Sequence, residues 1–68
     1  MDKLSKRIKQ LRIENNVTLI QLAKDTNISK SAVNNYELGL QIPSAQVIVV
    51  LAKYFNVSSD YLLGLKDY

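Results

Sequence analysis

Apolar residues recur along this chain at helical intervals, in five segments separated by short polar stops. Leu4, Ile8 and Leu11 follow one another by four and then three positions, which predicts a helix over about 3–14, ended by Asn15 and Asn16. Leu22, Ala23, Ile28 and Val33 are the apolar positions of the next stretch, divided into helices of about 18–26 and 29–38. A loop containing Pro43 follows. Val47, Leu51 and Phe55 then keep an i, i+4, i+8 register with Ile48 and Ala52 beside them, predicting a helix over about 45–55. A short fifth helix, about 58–63, completes an all-α reading. The run Val47–Val50 is β-branched and favours strand by propensity alone. Helix is preferred there because the apolar stretch is long for a strand and no partner strand exists elsewhere.

The residues between these segments are helix stops and starts. Thr18 with Gln21 three residues on forms a capping box, in which each side chain is expected to satisfy an orphan backbone donor. Ser29, Ser44 and Ser58 stand where hydroxyls cap the later helices. Asn27, Gly39, Asn56 and Gly64 stand where a left-handed residue ends a helix. Within 18–39, Ala23 is small enough to let two helices cross closely, and Ile28 and Val33 can plug the angle between them. That combination is the signature of a helix-turn-helix.

Sixty-eight residues make a single domain, 1–68, that buries roughly 60% of its unfolded surface. There is no cysteine to brace it, which fits a reducing compartment, and no apolar run approaches the ~20 residues of a membrane span. With no signal-peptide pattern at the N-terminus, the expected location is the cytoplasm. The net charge of +3 resides in the first helix: residues 1–15 hold five basic groups against two acidic ones, and the remainder is balanced. Such a patch suits a polyanion such as nucleic acid, or an acidic membrane surface. The segment KLSKRIKQLRI is amphipathic enough for the latter, but the other helices need its apolar stripe as core. Catalysis is not expected. There is no His or Cys, no phosphate-binding glycine loop and no carboxylate pair in an acid/base frame. The sequence Ser29-Lys30-Ser31 is no Ser–Lys nucleophile pair, since adjacent helical residues point about 100° apart. No cofactor, metal or small-molecule ligand is expected.

Taken together, LRIENNVT, QLA at 21–23, NISKSAVNNYELG at 27–39, Pro43 and NVSSDYLLG at 56–64 resemble the lambda-repressor-like, Cro-type (XRE) helix-turn-helix domain, a five-helix DNA-binding fold. The likeness covers roughly residues 4–65, with both flanks at family spacing. It implies a sequence-specific transcriptional regulator, a repressor by preference, acting on double-stranded DNA. The third helix is then the recognition helix, with Lys30, Ser31, Asn34 and Asn35 facing bases. Asn can pair with adenine at two atoms, Lys suits guanine acceptors, and Ser is permissive. Ser29, Thr18, Gln41, Lys6, Arg7 and Lys9 are the implied phosphate contacts, with Lys3 beside them. Arg12 and Glu37 match an ion pair that ties the recognition helix to the scaffold. Ser59, Leu62 and Leu63 match the family's dimer surface, with Tyr61, Leu65 and Tyr68 able to extend it. A homodimer, at least on DNA, follows.

Two places depart from the family pattern. Leu19 stands where many relatives carry a glutamine that contacts phosphate, and the loop Leu38–Ile42 lacks the usual basic residues. Exposed Leu40 and Ile42, with the fifth helix, would suit the alternative function: a protein-interaction module, or an antitoxin-type partner-binding regulator, in a helix-turn-helix frame. The end at Leu65-Lys66-Asp67-Tyr68 is compatible with a free-standing domain and with the first domain of a longer regulator.

Overall fold

The computed structural model describes residues 2–68. Five helices follow in order: α1 (Asp2–Glu14), α2 (Leu19–Thr26), α3 (Lys30–Leu38), α4 (Ala45–Phe55) and α5 (Ser59–Leu63). No strand occurs among the described residues. The Val47–Val50 run is helical, as the register of its apolar positions requires. Val49 and Val50 lie on the outer side of α4, 44% and 40% exposed.

From the end of α1 onward, the helix boundaries have local causes. The hydroxyls of Thr18, Ser29, Ser44 and Ser58 accept from the backbone amides of Gln21, Ala32, Val47 and Tyr61 at 3.0–3.2 Å. Such a cap is worth about 1 kcal/mol against alanine. At the other ends, Asn16, Asn27 and Asn56 adopt φ of 56–58°, and Gly39 and Gly64 adopt 75° and 84°. Asn tolerates this conformation and Gly has no Cβ to oppose it. The glycine at 64 has a second reason: a Cβ there would lie 2.7 Å from Cδ of Lys3. One expected detail is corrected. Gln21 does not reach back to the Thr18 amide; its Nε2 donates to Asp25 Oδ1 at 2.7 Å, so the capping box is one-sided.

Leu4, Ile8 and Leu11 from α1 meet Leu22, Val33, Tyr36, Leu51, Ala52, Phe55 and Leu62 in one core. Ala23 and Ile28 pack against it from the crossing of α2 and α3. The apolar stripe of α1 is therefore consumed by the core, at 2%, 0% and 7% exposure, and is not free to lie on a membrane.

A contact between α2 and α4 has no counterpart in the sequence reading. The Tyr54 hydroxyl donates to Asp25 Oδ2 at 2.6 Å. That bond, then burial, then the Asp25 charge hold the phenol above its ordinary 10.0. A folded-state value raised above the unfolded one means that the folded chain holds its proton longer. The contribution is complete below pH 10 and is lost as pH rises through the folded value. Tyr54→Phe should therefore flatten the fall of stability above pH 10. Denaturant titrations of both proteins across the alkaline range check this, and parallel falls would remove Tyr54 as the cause.

Candidate nucleic-acid interface

Cap chemistry and core packing together decide which side of α3 faces outward. Val33 and Tyr36 are buried, at 0% and 7%, so the opposite side of the helix must point to solvent. Lys30, Ser31 and Asn34 are exposed on that side. They border one open recess together with Leu19 from the first turn of α2. Asn35 is half-buried and does not border that recess. Of the four residues expected to face bases, three share the outward recess and one stands aside.

The rod is anchored at the far end by Arg12. Its Nε and Nη2 donate to Glu37 Oε2 and Oε1 at 2.7 and 3.1 Å, a two-pronged pair, and its Nη1 donates to the Val17 carbonyl at 3.0 Å. The Glu37 side chain is only 5% exposed and that of Arg12 16%. The guanidinium is held above its ordinary value, first by the bond to Glu37 and also by that carboxylate's charge, against an opposing effect of burial. It stays charged at any working pH. One side chain thus joins α1, the α1–α2 turn and α3.

Ser29 and Thr18 are exposed at the N-termini of α3 and α2. Their oxygens accept from the amides of their own helices, which leaves each hydroxyl proton available to an anion. Gln41 is exposed in the α3–α4 loop. Lys6 and Lys9 are exposed on the outer side of α1, in a shallow recess with Gln10, Ile13 and Glu14. At 100° per residue, Lys9 is about 60° from Arg12 around α1, whereas Lys6 is about 120° away.

Arg7 must be removed from the phosphate set. Its Nη1 donates to the carbonyls of Tyr61 and, at 2.6 Å, Lys66. Its guanidinium carbon lies 4.3 Å from the centre of the Tyr61 ring, and Nη2 lies 3.6 Å from Asp67. The residue is a clasp between α1 and the segment after α5. Its side of α1 faces α5. Lys3 is exposed beside the same segment, against Gly64.

Leu62 must likewise be withdrawn from the dimer surface. It is 0% exposed and belongs to the core beneath α5, so no partner can touch it. Ser59 and Leu63 are half-buried at the surface of α5, as is Tyr61 under Arg7. Leu65 and Tyr68 are 74% and 85% exposed, and in the α3–α4 loop Leu40 and Ile42 are 74% and 65% exposed.

Two short helices crossing at a tight turn, with the polar side of the second uncovered and its buried side packed against α1 and α2, define a helix-turn-helix domain. The chain belongs to the helix-turn-helix family, whose model matches residues 8–62. It is 41% identical over 61 residues to YobD of Bacillus subtilis, named as an uncharacterized HTH-type transcriptional regulator, covering 90% of this chain and 54% of that protein. It is 36% identical over 61 residues to the HTH-type transcriptional regulator ImmR of the same organism, covering 90% and 48%. The HTH-type transcriptional activator BcrR of Enterococcus faecalis is 32% identical over 60 residues, covering 88% and 29%. The chain thus spans about half the length of the first two relatives. No helix among the described residues is long and apolar enough to cross a membrane.

Proposed function

We propose that this chain is the DNA-reading module of a transcriptional regulator, binding double-stranded operator DNA through the major groove. The observation that carries the reading is the uncovered side of α3: Lys30, Ser31 and Asn34, exposed on a helix capped at both ends and fixed by the Arg12–Glu37 pair. A major groove about 12 Å wide admits such a helix, and Asn, Lys and Ser between them address adenine and guanine edges. Thr18, Ser29, Gln41, Lys9 and Lys6 serve the phosphates around it. One helix reads only a few base pairs, so the working form is a homodimer on half-sites about 34–36 Å apart. Ser59 and Leu63, with Leu65, supply the contact between copies. Regulation follows by occupancy: a dimer over a promoter excludes the polymerase, and repression is the proposed outcome.

The test is selection of bound duplexes from a random pool, followed by titration of the recovered duplex at several salt concentrations. An enriched site with twofold symmetry and a steep loss of affinity with salt are expected. Lys9→Gln and Lys6→Gln should each flatten the salt slope by about one unit, on specific and random DNA alike. An unchanged slope at either position removes that lysine from the interface.

Leu38, Leu40 and Ile42, exposed at 61%, 74% and 65%, favour a second reading, a protein-interaction module in the same frame. Such a module would enrich no duplex and show no salt slope.

A further inference from the structure

We infer that Leu19 is a specificity-determining residue that recognises the 5-methyl group of thymine beside the base pair read by Asn34. The inference rests on the DNA-reading function proposed above and names a base contact within it.

Leu19 opens α2 directly after the capping hydroxyl of Thr18. Part of its side chain packs against the core, and the rest lines the recess bordered by Lys30, Ser31 and Asn34. It is the apolar member of an otherwise polar set. Anchored on one side, it offers its methyl groups with little rotamer freedom left to lose, which a free surface leucine would not do. Leucine can neither donate to nor accept from a base edge. A polar edge turned toward it gives up its water and gains no partner, at a cost. The one apolar feature of the major-groove edge is the thymine methyl, which contacts apolar side chains. The composition of the recess therefore pairs a bidentate reader of adenine with a reader of thymine, on neighbouring base pairs.

Ile20 supplies an internal comparison. It is 62% exposed on the same helix, turned about 100° from Leu19, and is not part of the recess.

The experiment uses the duplex recovered from the random pool by the full chain, with each thymine replaced singly by deoxyuridine. This removes one methyl group and leaves base pairing intact. One position per half-site should bind about fourfold more weakly, the effect of exposing roughly one methylene equivalent. In Leu19→Ala that loss should shrink to about none, while in Ile20→Ala it should persist. Leu19→Gln serves if the alanine variant does not fold, as judged by far-UV circular dichroism. The inference is overturned if no deoxyuridine position weakens binding, or if the loss is undiminished in the Leu19 variant. Failure of the pool to yield any enriched duplex is visible before deoxyuridine is used, and it overturns the DNA-reading function together with this contact.

Discussion

Arg12→Ala should remove a large share of this chain's stability at room temperature. The substitution abandons the Glu37 carboxylate, whose side chain is 5% exposed and loses both bonds from the guanidinium. Removing one partner of a fully buried pair costs about 3–5 kcal/mol, the upper bound for this half-buried one. A domain of this size has about 3–10 kcal/mol in total, at 0.05–0.15 kcal/mol per residue. The Val17 carbonyl loses its donor as well, so the α1–α2 turn loosens with α3. Urea unfolding followed by circular dichroism measures the loss. The decisive control is the double substitution Arg12→Met with Glu37→Leu, which removes both charges and fills the space with apolar atoms. It should recover most of the stability, since the cost of a stranded charge disappears. A double variant as unstable as the single one would mean that lost packing, not an abandoned carboxylate, explains the effect.

The second large effect is expected at Asn34. Asn34→Ala should cost about 1–3 kcal/mol on the selected duplex, the value of a bidentate base contact, and much less on random DNA. The side chain is exposed and caps nothing, and alanine is the better helix former, so folding is not at risk. The loss is thus a loss of reading. Equal losses on both duplexes would reassign Asn34 to a sequence-independent role. Asn35→Ala should cost less than Asn34→Ala, because Asn35 is half-buried and does not border the recess.

Helix ends were the most legible part of this fold, because capping is settled within three or four residues. A hydroxyl at Ser29 bonds the amide of Ala32 with no help from elsewhere, and Asn27 can take a left-handed conformation anywhere. The Arg12–Glu37 pair was legible only through family likeness. Nothing in the spacing of two charges 25 residues apart announces a contact. The Tyr54–Asp25 bond, 29 residues apart, had no signal of either kind.

Periodicity determined that Leu4, Ile8 and Leu11 share one side of α1, and that Lys6 and Lys9 lie away from it. It could not determine what stands next to each side. Arg7 looks from the sequence like one more cation for a polyanion, and the packing of α5 against α1 turns it into a clasp for the carbonyls of Tyr61 and Lys66. Leu62 reads equally well as interface or core until α5 is set down over the centre of the molecule. Leu19 reads as a missing glutamine until the crossing of α2 and α3 brings it beside Asn34. Local backbone chemistry and helical period act over a few residues, so the chain alone specified five helices, their ends and their apolar sides. Which polar groups are spent inside the molecule and which are left for a partner depends on contacts between distant segments, and only the packed helices decided that.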